Sequence, residues 1–146
     1  MLSIRGLLLL LLGIFTLSLT PLIGQAPDSA GVLPTDAAGK PLNLDFEKGT
    51  LEHWTATGTA FRGQPIEGDT VRPRRSDMRS RHQGRFWIGT YERNGDKEQG
   101  TLTSVPFRIS QPWASFLVGG GPHDSTCVEL VFKDSGQVFH RASGLE

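Results

Sequence analysis

Apolar and polar side chains alternate along this chain in short runs, and no stretch beyond the N-terminus sustains the 3.6-residue period of an amphipathic helix. Alternation with period two places successive side chains on opposite faces of an extended strand. Leu42 to Phe46 alternates in this way until Gly49, and Trp54 to Phe61 is β-prone through its threonines. Arg85 to Tyr91 predicts a strand with Trp87 and Tyr91 on one face and Phe86 and Ile88 on the other. Asn94-Gly95-Asp96 signals a turn, so Thr101 to Thr103 is expected to return beside that strand. Pro106 lacks a backbone donor and interrupts the next run, which resumes at Phe107 to Ile109 as at a sheet edge or bulge. Trp113 to Val118 is almost continuously apolar, the pattern of a central strand covered on both faces. Thr126 to Lys133, the turn Asp134-Ser135-Gly136 and Gln137 to His140 complete a last hairpin. About seven or eight short strands without a helical segment predict an all-β fold, an antiparallel β-sandwich.

The N-terminus follows a different rule. Arg5 precedes an apolar core from Leu7 to Phe15, and Pro21 and the small-residue exit Gly24-Gln25-Ala26 follow. This is the pattern of a secretory signal peptide over residues 1–26, cleaved after Ala26. An uncleaved membrane anchor is the alternative, since Leu7 to Ile23 approaches the length of a bilayer span. Both readings place the remainder outside the cytoplasm, secreted, periplasmic or at the cell surface, with membrane contact only if the leader is retained. Residues 27–41 are rich in Pro, Gly, Ala, Asp and Ser and read as a flexible linker. The β module then occupies 42–146. A final strand without a neighbour would expose a row of backbone donors and acceptors, so the module is expected to be truncated.

Composition narrows the functional classes. Fifteen basic side chains balance 15 acidic ones, so no global field favours a polyanion and nucleic acid is not implied. Eighteen glycines and nine prolines suit a turn-dense β architecture. Cys127 is the sole cysteine, so an exported domain has no internal disulfide and depends on its apolar core. With no base or cation beside it in sequence, Cys127 reads as a half-buried filler of the last hairpin.

One local field stands out. Arg72, Arg74, Arg75, Arg79, Arg81 and Arg85 fall within 14 residues that hold a single acid, Asp77. Guanidinium groups grip carboxylate or sulfate in a forked geometry, which makes an anionic or sulfated polysaccharide a reasonable partner, with Arg74, Arg75 and Arg79 as contacts. A solvated loop whose arginines pair with nearby acids is the alternative. Trp54, Trp87, Tyr91 and Trp113 are the aromatics able to stack on a sugar ring, and Trp87 and Tyr91 are singled out by their shared strand face. Asp45 and Glu47 are too few to hold Ca²⁺ unaided. His123-Asp124 has no recognisable nucleophile beside it and reads as a loop cap. No catalytic residue, metal site or cofactor is expected.

Asn43-Leu44-Asp45-Phe46-Glu47 with Gly49 and Trp54, then Gly100 to Ser104 with Pro106-Phe107, then Phe116-Leu117-Val118 and the glycine triplet with His123, together resemble a known module. The chain from 42 to 146 is similar to the β-sandwich beside the catalytic propeller of levanase-type glycoside hydrolases, found also in exported multidomain proteins of planctomycete type. The resemblance implies a galactose-binding-like jelly roll with a carbohydrate-binding or adhesive role. It does not carry hydrolase activity across, because the nucleophile-bearing segment has no counterpart here, and without a C-x-x-C-H run it carries no haem either. The expected function is an exported non-catalytic accessory module that binds carbohydrate or packs against a neighbouring domain. The alternative is an N-terminal fragment of a larger exported enzyme or cytochrome-type protein with a purely structural role.

Overall fold

The computed structural model describes residues 31–145, so the expected leader and the first residues of the expected linker lie outside them. The fold is all-β, and every strand pair is antiparallel. In chain order the elements are β1 (Trp54–Gly58), β2 (Ile66–Glu67), α1 (Val71–Arg74), β3 (Phe86–Trp87), α2 (Thr90–Asn94), β4 (Gly100–Ser104), β5 (Cys127–Val131) and β6 (Val138–Ser143). They form three two-stranded sheets, β1 with β4, β2 with β3, and β5 with β6. The two helices are single turns on which no amphipathic period is imposed.

The two longer pairs follow from local sequence. In β1 and β4, threonines at Thr55, Thr57, Thr101 and Thr103 face one another across the ladder as Thr55↔Thr103 and Thr57↔Thr101. Gly58 ends β1 at φ 69°, and the N–H groups of Thr59 and Ala60 then both donate to Gln99 O. In the last hairpin Gly136 takes φ 68°, a conformation that a side chain would disfavour, and its N–H donates to Phe132 O at 2.9 Å. Glu129 and Arg141 are direct cross-strand partners, and the guanidinium grips the carboxylate at 2.5 and 2.8 Å.

The interior is small. Among the described residues Leu42, Ala60, Ile66 and Val71 are its buried apolar side chains, and Asn43 is buried with them. Ile66, fully enclosed, contributes about 1.5–3 kcal/mol relative to exposure. Asn43 at 2% exposure satisfies all its polar groups locally. Its Nδ2 donates to Thr50 O at 2.8 Å and its Oδ1 accepts Lys48 N at 3.1 Å. Its backbone N–H donates to His53 Nδ1 and its carbonyl accepts the indole N–H of Trp54. Phe46 stacks on Trp54 at 4.9 Å between ring centres.

Several expected strands are absent. Leu42 to Phe46 is a loop, since Asn43 spends its hydrogen bonds on the 48–54 turn and Phe46 sits at φ 65°. The predicted strand from Arg85 to Tyr91 stops at Trp87. Gln64 acts there as a substitute ladder partner, donating from Nε2 to Gly89 O and accepting Gly89 N–H, and α2 begins at Thr90. Consequently β3 pairs with β2 and β4 with β1, in place of the predicted return of Thr101–Thr103 onto the Trp87 strand. The polar segment 62–84, which carries most of the arginines, contains β2 and α1. Neither Phe107–Ile109 nor the apolar run Trp113–Val118 is a strand, and Trp113 is 89% exposed. Cys127 is half-buried in β5 as a free thiol. Within the stretch expected as a linker, Thr35 bridges Pro41, and Asp36 Oδ1 accepts the N–H groups of Ala38 and Lys40 at 2.9 Å each.

Candidate functional site

The segment between β2 and β4 carries the five residues expected to touch a ligand. Its fold begins at Asp69, whose Oδ1 accepts the N–H groups of Val71, Arg72 and Ser80. One carboxylate thereby starts α1 and draws the chain at Ser80 back towards it. Burial opposes ionisation there, but the backbone donors of Arg72, Ser80 and Val71 outweigh it and hold the Asp69 carboxyl below its usual range.

Two of the five residues are brought together. Arg74 in α1 lies over the Tyr91 ring of α2 at 4.8 Å, and its guanidinium forks onto Glu92 at 2.6 and 3.2 Å. The Glu92 carboxylate raises the Arg74 pKa above its already high value. Tyr91 is 49% exposed. Arg74 thus ties two helical turns together and covers an aromatic face. Arg75 reaches Asp77 at 2.9 Å, and that guanidinium holds the Asp77 carboxyl below its usual range. Arg79 is exposed.

Trp87 belongs to a separate cluster. Its indole N–H donates to Gly68 O at 2.9 Å, and the His82 ring stacks on it at 5.7 Å with an interplanar angle of 12°. Its six-membered ring lies so close to Gly89 that a Cβ there would meet it at 2.6 Å. The strand parity that placed Trp87 and Tyr91 on one face does not hold, because Tyr91 is on α2. The gathering of arginines is also dispersed, with Arg85 reaching Glu67 at 2.6 Å. The alternative of arginines paired with nearby acids describes Arg74, Arg75 and Arg85.

Several described acids are equally committed. Glu47 accepts Arg85 N–H through both oxygens and Phe86 N–H through Oε1, and these donors hold its carboxyl below its usual range. Lys48 does the same for Glu52 at 2.7 Å. Asp36 and Asp77 are likewise held below the ordinary carboxyl range, Asp36 by Lys40 N–H and Asp77 by the Arg75 guanidinium. Ser80 Oγ lies 2.6 Å from His82 Nδ1, the contact of a nucleophile with its base. In a catalytic triad the acid orients the histidine, whereas Asp69 here accepts from Ser80 N–H. Among the described residues no three His, Cys, Asp or Glu side chains are grouped to hold a metal ion.

A concave surface lies elsewhere, unmarked by any sequence pattern. Thr35, Asp36, Pro106, Phe107, Arg108 and Lys133 enclose an open cleft of about 480 Å³.

A glycosyl hydrolase supplies the comparison. A protein of Aspergillus rugulosus named as glycosyl hydrolase ecdE is 30% identical to this chain over 91 residues. The match covers 62% of this chain and 12% of that protein, so the chain spans about an eighth of the relative's length. No protein-family model matches the chain, and no solved structure does.

Proposed function

We propose that this chain is an exported, non-catalytic accessory module of glycosyl-hydrolase type, which contacts carbohydrate while chemistry is performed elsewhere. The observation that carries the reading is the 30% identity to a small portion, 12%, of a protein named as a glycosyl hydrolase. The described carboxyl groups support the non-catalytic part, since the five with clear shifts are held ionised by N–H donors or cations. The leader pattern over residues 1–26 supports export. In this reading the antiparallel pairs are portions of a β-sandwich of galactose-binding-like type.

Applying the full chain to a glycan array, followed by a reducing-sugar assay on each retained glycan, tests the proposal. Retention without release of sugar is expected. Release of sugar would overturn the non-catalytic role, and failure to retain any glycan would overturn carbohydrate contact.

A second reading, packing against a neighbouring domain, is favoured by one observation. Trp113, Leu117, Phe132 and Phe139 are exposed large apolar side chains. Apolar exposure of this kind marks surfaces that other protein covers.

A further inference from the structure

Resting on the carbohydrate reading above, we infer that the cleft bounded by the 35–37 turn, the 106–108 segment and Lys133 binds a sugar ring bearing carboxylate or sulfate, with Arg108 and Lys133 holding the anion and Phe107 the ring. Three observations converge on it. The cleft's 480 Å³ falls within the range of small-molecule sites, roughly 300–1,000 Å³. Its cations are free: among the described residues neither Arg108 nor Lys133 makes a hydrogen bond or ion pair through its side chain. Arg74, Arg75, Arg85 and Arg141 are each engaged by a carboxylate.

The third observation is the pairing of charge with an apolar face. Phe107 is 36% exposed and lines the cleft together with Pro106 and Arg108, so a hydrocarbon surface and a guanidinium share one lining. A simple anion would use the charges and leave that surface wet. A uronate or sulfated sugar uses both, laying its C–H face on the ring while its acidic group meets the guanidinium fork and the ammonium. Asp36 is the one acid of the lining. The backbone donors of Lys40 and Ala38 hold it ionised, with Oδ1 turned into its own loop, leaving two cations against one carboxylate. Arg108 comes from the segment after β4 and Lys133 from the turn that follows β5, which is why no local motif announces the pair.

The test titrates the full chain by calorimetry with trigalacturonate, a sulfated galactan trisaccharide, the neutral galactan trisaccharide and inorganic sulfate. Binding of at least one acidic trisaccharide, at least tenfold tighter than sulfate and than the neutral sugar, is expected. The double variant Arg108→Ala/Lys133→Ala should weaken it at least tenfold, and Phe107→Ala at least threefold, with unchanged circular dichroism. Arg74→Ala/Arg79→Ala should leave it intact. Which acidic sugar binds separates uronate from sulfate recognition. If acidic sugars bind but the double variant binds equally well, the cleft assignment fails while carbohydrate contact survives. Binding of the neutral sugar alone, or no preference over inorganic sulfate, likewise removes the assignment. If no glycan binds here or on the array, both the assignment and the carbohydrate reading fall.

Discussion

Glu47 holds the backbone of Arg85, 38 residues further along the chain, by accepting its N–H through both carboxylate oxygens at 2.9 and 3.0 Å. A third donor, Phe86 N–H, joins at 3.1 Å, so one exposed side chain fixes the entry to β3. Gly84, at φ 75°, lies directly against that carboxylate, and a Cβ there would overlap it.

Replacing Glu47 by Gln keeps the shape and removes the charge. Charge-assisted hydrogen bonds contribute roughly 1.5–3 kcal/mol when desolvated, and exposure reduces this, so a loss of about 1 kcal/mol is expected. Gly84→Ala should cost more, because both the backbone conformation and the Glu47 contact resist a methyl group. Urea unfolding checks the order. Equal midpoints for wild type and both variants would show that the clamp does not matter to the fold.

The same clamp gives stability a definite pH dependence. Glu47 is held below the ordinary value of 4.5 by the N–H groups of Arg85 and then Phe86, and the Asp36 carboxyl lies below 3.8 through Lys40 N–H and Ala38 N–H. As pH falls, the unfolded chain takes up protons first, so acidification favours unfolding. The contribution is fully present above the unfolded values and is lost as pH passes down through the folded ones. Urea midpoints should therefore fall between about pH 5 and pH 3, and Glu47→Gln should flatten that slope. A midpoint that rises on acidification, or an identical slope in the variant, contradicts the assignment.

Asn43 is a different kind of tie. Its side chain serves both Thr50 O and Lys48 N–H from a buried position. Asn43→Ala strands both groups, and each unsatisfied group costs about 1–3 kcal/mol, so a loss on the order of 2–3 kcal/mol is expected. That corresponds to about 10 °C in melting temperature for a domain of this size. Asn43→Asp should also destabilise, because the donor to Thr50 O is removed while the acceptor for Lys48 stays. Thermal melts of the two variants provide the check, and an unchanged melting temperature in Asn43→Ala would refute the role.

The chain's β character, the last hairpin and both threonine-rich strands were legible because period-two alternation and turn residues act locally. What was not legible depends on single side chains acting at a distance. Nothing around Gln64 reveals that its amide will meet Gly89, 25 residues on, and end β3 there. Nothing around Asn43 reveals that it will turn an alternating run into a loop. The apolar run at Trp113–Val118 misled because continuous hydrophobicity specifies covering without specifying what covers. Of the expected ligand contacts, Arg74 and Tyr91 meet, yet the acid that engages Arg74 is Glu92, 18 residues away. Arg108 and Lys133 went unnoticed because the fold, and no motif, brings them to one cleft.

Trp87 distinguishes a structural aromatic from a sugar platform. With its indole N–H on Gly68 O, His82 stacked on it and Gly89 against its edge, the ring is used within the fold. Trp87→Ala should lose about 2 kcal/mol, less than a fully buried aromatic because the ring is half-exposed. Tyr91→Ala should lose less than half as much, and both are measured by urea unfolding. A Trp87→Ala variant with full stability and lost glycan retention would place Trp87 on the binding surface instead.

The outer face of the last hairpin offers the final test. Phe132 and Phe139 meet edge to face at 5.5 Å, and both remain more than half exposed, as does Trp113. An aromatic pair of this kind contributes about 0.5–1.5 kcal/mol beyond its area, but in water it leaves most of its surface wet. Removing exposed apolar area costs the monomer little, so Phe139→Ser and Trp113→Ser should each change its stability by less than about 1 kcal/mol. They should also reduce dye binding to apolar surface. The opposite pattern, large loss of stability with unchanged dye binding, would mean that these rings serve this domain's own interior and that the packing surface lies elsewhere.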